Sequence, residues 1–121
     1  MTARVLCFGS YPVLLETRRL ILVQHYAVAT ATSIEQFEFL LANSGSDLVV
    51  LCHSLSAEEC KHACSLVRKH SVCLQVLGIV GPSRSPHTAE CDRQLITLGN
   101  PSSLLEAVEA MLEHVWRSSG G

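Results

Sequence analysis

The chain has 121 residues, of which 48 % are hydrophobic and 17 % are charged, and its formal net charge at pH 7 is −2. This length accommodates one domain with a hydrophobic core and is too short for two. The slightly negative charge provides no basic surface to neutralise phosphates, which argues against a nucleic-acid-binding protein. No stretch reaches the ~20 apolar residues that span a bilayer.

The amino terminus begins as a strand and lacks the basic segment and long apolar run of a signal peptide. We therefore expect a cytoplasmic protein. The six cysteines, at positions 7, 52, 60, 64, 73 and 91, fall mostly inside apolar strand or helix patterns. In a reducing compartment this placement predicts buried free thiols rather than disulfides.

The chain opens with a strand over residues 3–8, followed by a helix. That helix starts at Pro12, with Ser10 or Tyr11 at its N-cap, and runs to about His25. Polar residues alternate with its apolar ones at roughly helical spacing, which predicts one buried face. The apolar residues are Val13, Leu14, Leu20, Ile21 and Val23.

A second strand and helix follow in the same order. Residues 27–31 predict the strand, and Ser33 with Gln36 forms a capping box that opens the helix. The helix ends before Gly45. Its core positions are Phe37, Leu40 and Leu41.

The third strand, residues 48–51, is continuously apolar. Because apolar and polar residues do not alternate in it, we expect it to be covered on both faces, as the central strands of parallel sheets are. It runs into a polar turn, and Ser56 with Glu59 forms a capping box for the next helix. One side of that helix carries Cys60, Ala63, Cys64 and Val67.

The second half of the chain continues the alternation with one interruption. Residues 73–80 and 93–97 predict the fourth and fifth strands. Between them, residues 81–87 contain two prolines and almost no apolar residue, so we expect the fourth helix to be short or missing. The last helix opens at Asn100 and ends near Trp116. Its apolar stripe is Leu104, Leu105, Val108, Met111, Leu112 and Val115.

Five alternations of strand and helix with short connections predict a parallel sheet with helices on both faces. We expect one domain over residues 1–117 and a flexible end over residues 118–121. In such sheets the functional crevice lies at the carboxyl ends of the strands. The residues expected there are Gly9, Ser10, Cys52, His53, Val80, Gly81 and Thr97.

Four segments, in order and at matching spacing, resemble a receiver domain of the two-component response regulators. They are residues 3–12 with the helix that follows, 26–33, 47–56 and 100–108. The resemblance covers nearly the whole chain. It implies a flavodoxin-like (βα)5 fold, a five-stranded sheet in the order 2-1-3-4-5 and a role in phosphorelay signalling.

In that family an aspartate after the third strand accepts a phosphoryl group, and acidic residues after the first strand hold Mg²⁺. A Ser/Thr after the fourth strand and a Lys after the fifth contact the phosphoryl oxygens. In this sequence the corresponding positions are, in the same order, Cys52, Gly9 with Ser10, Val80 or Gly81, and Thr97. These residues supply almost no negative charge for Mg²⁺ and no lysine to balance a phosphoryl group.

The resemblance therefore implies a degenerate receiver, or pseudo-receiver, that is not phosphorylated on aspartate. We expect no enzymatic activity, no cofactor and no bound Mg²⁺. The expected partner is another protein or a second copy of the chain, as in a homodimer, and neither nucleic acid nor membrane.

Cys52 supports a second hypothesis, a thiol-based redox or small-ligand sensor that uses the pocket around Cys52 and Ser10. A partly exposed thiol at this strand end would be open to oxidation, and a disulfide to Cys7 is conceivable. Adjacent strand residues point to opposite faces, so His53 is not expected to contact the sulfur. The alternative is a small residue that fills a collapsed pocket.

Cys60 and Cys64, one helical turn apart, would be able to share a zinc ion only with two further ligands from elsewhere. The alternative is two small core residues on the sheet-facing side of the helix. The sequence favours the second interpretation, because no other ligand pair at metal-binding spacing accompanies them.

Overall fold

A parallel sheet forms the centre of the computed structural model, which describes residues 3–52, 57–70, 74–80, 93–96 and 104–112. The strands are β1 (Arg4–Phe8), β2 (Ala27–Ala31), β3 (Leu48–Leu51), β4 (Gln75–Val80) and β5 (Arg93–Ile96). Their order in the sheet is β2-β1-β3-β4-β5, and each neighbouring pair is parallel. The predicted flavodoxin-like α/β class and the strand order 2-1-3-4 are confirmed.

Helices cover both faces of this sheet. They are α1 (Pro12–Leu22), α2 (Ile34–Ser44), α3 (Ala57–His70) and α4 (residues 104–112). Helices α1 and α4 pack on one face, and α2 and α3 pack on the other. The segment in which a short or missing fourth helix was predicted, residues 81–87, lies outside the described residues.

Strand β3 separates the two halves of the core. Leu48 and Val50 face α1 and α4, whereas Val49 and Leu51 face α2 and α3. All four side chains are fully buried, which confirms the prediction of a strand covered on both faces. On the α2 side, the ring of Phe8 stacks on that of Phe37 with 4.9 Å between the centroids.

Helix α1 buries a face that matches the predicted one only in part. Val13, Leu20 and Val23 are 79 %, 52 % and 41 % exposed. The buried stripe is Leu15, Arg18 and Leu22. The helix carries two apolar stripes, and the one with Leu15 and Leu22 at positions i and i+7 fits against the sheet. The prediction of a buried apolar side chain is therefore wrong for Val13, Leu20 and Val23, whereas Ile21 packs against the core as predicted.

The same helix ends earlier than predicted, at Leu22 rather than near His25. The backbone N–H groups of His25 and Tyr26 both donate to the Leu22 carbonyl, at 3.0 and 2.9 Å, and close a turn. The N–H of Ala27 then donates to the Ala3 carbonyl at 2.9 Å. The chain thus leaves the helix early because it must enter β2 beside β1.

Helix α2 has the predicted start and stop signals. The Gln36 N–H donates to Ser33 Oγ at 3.2 Å, and Gln36 Oε1 accepts from the Thr32 N–H at 2.9 Å. The return bond thus reaches one residue further back than a standard capping box does. Gly45 follows the helix with φ of +62°, the left-handed conformation that favours glycine.

The sheet-facing residues of α3 and α4 follow the predicted stripes. On α3, Cys60, Ala63, Cys64 and Val67 are all buried. On α4, Leu104, Val108, Met111 and Leu112 are buried, and Leu105 packs against them. The predicted N-cap of α3, Ser56, lies outside the described residues. Within the described segments, no helix combines the length and the apolar character needed to cross a membrane.

Candidate functional site

The carboxyl ends of β1 and β3 meet at one edge of the sheet. Phe8 pairs with Leu51, so the next residue of each strand, Gly9 and Cys52, lies at that edge. The Cys52 N–H donates to the Phe8 carbonyl at 2.9 Å. The Gly9 N–H donates to the Ala31 carbonyl at 3.1 Å. The structure therefore brings these two predicted site residues together.

Ser10 connects this edge to helix α1. It is half-buried and sits in a bend directly before the helix. The N-cap is Tyr11, whose side chain makes no capping hydrogen bond, and Pro12 occupies the first turn. Of the two predicted caps, the structure therefore has Tyr11.

Cys52 is 1 % exposed, so its thiol lacks the partial exposure that the redox-sensor hypothesis requires. Its side chain belongs to the core between the sheet and helices α1 and α4, because residue 52 continues the alternation of Leu48 and Val50. A thiol in this position fills space between packed side chains. The burial supports the alternative of a small residue in a collapsed pocket.

The other thiol at this edge is Cys7, which is fully buried on the same side of the sheet. Cys7 pairs with Val50, so Cys52 lies two residues further along the neighbouring strand. The strand spacings place the two Cα atoms about 8 Å apart, beyond the ~7 Å that a disulfide spans. Both cysteines are free. This register argues against the conceivable Cys7–Cys52 disulfide.

Both thiols stay protonated at neutral pH. Burial raises the pKa of Cys52, and the nearby Arg18 guanidinium opposes that shift. Burial also raises the pKa of Cys7, the neighbouring Cys52 adds to the rise, and Arg18 again opposes it. Because the thiolate is the reactive form, these thiols are poor nucleophiles and poor metal ligands. The geometry gives no support to the redox-sensor hypothesis.

Arg18 is a buried residue beside these thiols that the sequence interpretation missed. It comes from α1, is 9 % exposed, and donates a hydrogen bond to the Cys52 sulfur. The available signal was its spacing: Leu15, Arg18 and Leu22 lie at i, i+3 and i+7, on one face of a helix. An arginine on such a face contributes its apolar stem to the packing and carries its charge to the end of the stem.

The acidic residues that flank β3 lie at both of its ends, because Glu58 and Glu59 are in the first turn of α3, which follows the strand. Asp47, which precedes β3, accepts a hydrogen bond from the Arg4 N–H at 2.8 Å, at the opposite end of the strand from Cys52. Among the residues that the structure describes, no group of three or more His, Cys, Asp or Glu side chains is arranged to hold a metal ion. Gly9 and Ser10, which follow β1, offer no carboxylate of the kind that Mg²⁺ prefers.

Cys60 and Cys64 lie in the core between the sheet and helices α2 and α3. Burial, with a smaller contribution from Cys64, raises the pKa of Cys60 to about 11. A protonated, buried pair with no further ligands in the described part of the chain fits the core interpretation better than a zinc site.

Of the remaining predicted site residues, Val80 is the one whose backbone the structure describes. Val80 ends strand β4, and its side chain is not described. His53, Gly81 and Thr97 lie outside the described residues. The contribution of these positions to the site stays a prediction.

The fold and the strand-end crevice define a class of doubly wound, flavodoxin-like α/β domains. Comparison with family models finds no match, and comparison with curated proteins finds none either. Solved structures, in contrast, match over almost the whole chain.

Three of these are receiver domains. One is a CheY-like receiver domain from Methanospirillum hungatei, with 17 % identity and a TM-score of 0.80 over 98 % of this chain and 99 % of that one. A signal receiver domain of a putative Luxo repressor protein from Vibrio parahaemolyticus has 13 % identity and a TM-score of 0.84 over 98 % of this chain and 96 % of that one. A signal receiver domain of an HD domain-containing protein from Pseudomonas fluorescens has 20 % identity and a TM-score of 0.82 over 95 % of this chain and 98 % of that one. The chain has the receiver-domain fold of the response regulators.

Proposed function

We propose that this chain is a degenerate receiver domain that acts in two-component-type signalling through protein–protein contacts and without aspartyl phosphorylation. The observation that carries the proposal is the residue at the end of β3. In the receiver fold this position holds the phospho-acceptor carboxylate, and here it holds the buried thiol of Cys52. The proposal places the protein in the cytoplasm and assigns it no enzymatic activity.

The chemistry of phosphoryl transfer supports this reading. A receiver needs a nucleophilic carboxylate, a metal ion and a further cation, because the transferred group carries negative charge that must be balanced. At this edge Gly9 has no side chain, Ser10 offers a neutral hydroxyl, and Cys52 offers a protonated thiol. These groups supply neither the nucleophile nor the metal ligands.

A role in protein interaction is supported by the outer surface of α1. Val13, Leu20 and Val23 expose apolar side chains there. The Thr17 hydroxyl is satisfied by the Val13 carbonyl at 3.0 Å, and Glu16 pairs with Arg19. Exposed apolar side chains of this kind, beside the Glu16–Arg19 ion pair, are typical of a contact surface for another protein. The partner is either a second copy of the chain or another signalling protein.

The test of the proposal is incubation of the full chain with acetyl phosphate and Mg²⁺, followed by intact-mass measurement. We expect no added phosphoryl group, whereas a receiver with an intact acceptor aspartate, run in parallel, gains one. A phosphoryl group mapped to any aspartate of this chain would refute the proposal. A parallel incubation with hydrogen peroxide tests the sensor hypothesis, for which we expect no oxidation at Cys52 in the folded chain.

Light scattering after size exclusion, over a range of concentrations, tests the self-association branch. A dimer whose population rises with concentration supports self-association. A monomer throughout that range assigns the contacts to a different protein.

A further inference from the structure

Strand β2 lies at one end of the strand order, so it forms an edge of the described sheet. Its residues pair one to one with those of β1, without a bulge. Ala27 is exposed, and Val28, Ala29 and Thr30 are half-buried. The strand thus presents a regular and accessible edge.

The outer side of this strand carries backbone groups that the sheet does not pair. The Ala27 N–H donates to the Ala3 carbonyl at 2.9 Å, which turns the odd-numbered residues of the strand toward β1. Val28 and Thr30 therefore direct their N–H and C=O groups away from the sheet. Such groups form a template on which another strand can pair.

The sequence of β2 lacks the features that usually prevent this pairing. Proteins protect edge strands with charged side chains, proline or a bulge. The strand reads Ala-Val-Ala-Thr-Ala, with neither a charge nor a proline. A hollow of about 470 Å³ lies beside it, and Ala27, Ala29 and Asn43 of α2 are among its lining residues. Another strand can therefore approach this edge.

The outward groups are arranged symmetrically about Ala29, and this symmetry favours a second copy of the chain as the partner. In an antiparallel pair centred on Ala29, Val28 of each copy lies opposite Thr30 of the other and exchanges both backbone hydrogen bonds with it. Ala29 lies opposite its own copy at a non-hydrogen-bonded position, with the two Cα atoms about 4.5 Å apart. Small side chains fit this spacing, and the β-branched Val and Thr pair well across strands.

The position of α1 fits the same arrangement. This helix packs over β1 and β2. Because neighbouring strands are about 4.8 Å apart, a two-fold axis beside β2 places the two α1 axes about 10 Å apart, the usual distance between packed helices. Val23, which follows α1, is 41 % exposed and supplies apolar surface there. On the helix itself, Glu16 and Arg19 form an ion pair and balance each other's charge.

We infer that two copies of this chain pair through their β2 edges in antiparallel orientation and form one continuous sheet across a dimer. A second copy suits the edge better than an unrelated peptide, because the register, the uncharged strand and the helix spacing all fit a single two-fold axis. This inference rests on the proposed function, since it names the partner in the signalling contacts.

Amide hydrogen exchange of the full chain tests the pairing without any substitution. Exchange is followed residue by residue by NMR as the protein concentration is raised, beside the light-scattering series. The Val28 and Thr30 N–H groups should exchange quickly in the monomer and about tenfold more slowly when about nine-tenths of the chain is dimeric. The Ala29 N–H belongs to the ladder with β1 and is the internal control, because it should be protected at every concentration.

Substitutions at the centre of the pair test its register. Ala29→Lys and Ala29→Glu each place like charges directly opposite each other in a homodimer, so each should raise the dimer dissociation constant by about tenfold or more. An equimolar mixture of the two variants should restore the dimer, because opposite charges then face each other. The matched control is Ala42→Lys, the same change at an exposed position of α2 that does not line the hollow. It should dimerise like the unmodified chain.

Several results would overturn the inference. One is a chain that stays monomeric from about 1 μM to about 100 μM, and another is a dimer in which the Val28 and Thr30 amides exchange as fast as in the monomer. A third is a folded Ala29→Lys variant that dimerises as tightly as the unmodified chain, and a fourth is a mixture that fails to restore the dimer. Circular dichroism checks that each variant is folded, and if neither variant at position 29 folds, the exchange measurement decides alone.

The two proposals fail in different assays. The pairing of β2 edges is read by light scattering and amide exchange, and its failure leaves the degenerate-receiver function standing with a different protein as the partner. Phosphoryl uptake by the unmodified chain, read by mass, would refute that function whatever the oligomeric state.

Discussion

Alkylation of the native chain should leave Cys52 unmodified, and this prediction separates a structural thiol from a sensor. Iodoacetamide is applied at about pH 8, where a free thiol is partly ionised. Two features protect Cys52: its 1 % exposure and its raised pKa. Both must be lost before the sulfur reacts.

The degree to which Cys52 is protected from alkylation can be judged from Cys60, another buried thiol of this chain. Cys60, for which burial raises the pKa from 9.0 to about 11, has about a hundredfold less thiolate than an unburied cysteine, since each unit is a factor of ten. The restricted access of the reagent to the buried Cys52 sulfur slows alkylation by a larger factor. Central strands open only with near-global unfolding, so modification at the end of β3 should be slowed by about 10³-fold or more.

The control is Val13→Cys, which places a thiol at a position that is 79 % exposed on α1. Alkylated peptides are quantified by mass over a time course, in native buffer and in denaturant. The introduced thiol should react at similar rates in both, and Cys52 should react quickly only in denaturant. Native modification of Cys52 within about tenfold of the Val13→Cys rate would refute the burial argument.

Three stability predictions use the same chain. Phe37→Ala should lower the free energy of unfolding by about 3–5 kcal/mol, because it empties the stack against β1, whereas Phe39→Ala, at a position 64 % exposed, should change it by less than about 0.5 kcal/mol. Leu15→Ala should lower the free energy of unfolding by about 2–5 kcal/mol, and Leu20→Ala should lower it by less than about 0.5 kcal/mol. A larger loss for Leu20→Ala than for Leu15→Ala would mean that Leu20, as predicted from the sequence, is on the buried face of α1. Gly45→Ala should cost about 1–2 kcal/mol through its φ of +62°, and an unchanged urea midpoint would contradict the left-handed conformation.

Backbone organisation was predictable because it depends on local patterns. The uninterrupted apolar run of residues 48–51 fixes a doubly covered strand, and Gly45 fixes where α2 stops. The alternation of elements then leaves few topologies for a parallel sheet. Neither step requires knowledge of distant contacts.

Side-chain environments at the site were less predictable, because they depend on distant packing. Helix α1 has two apolar stripes, and only the sheet decides which one is buried. Arg18 is one of the polar residues that alternate with the apolar ones in the sequence, and it is nevertheless buried near Cys52. The burial of Cys52 likewise depends on how α1 and α4 close over the strand end, which the sequence of β3 does not encode.

The strand order also bears on how the chain folds during its synthesis. The first three strands in the sequence, β1 to β3, are adjacent in the sheet, so residues 3–52 can pair before the rest of the chain has been made. Helix α4, which completes the cover over Val5, Val50 and Leu77, is made much later. A nascent chain that stalls before α4 emerges from the ribosome therefore presents one apolar sheet face to chaperones.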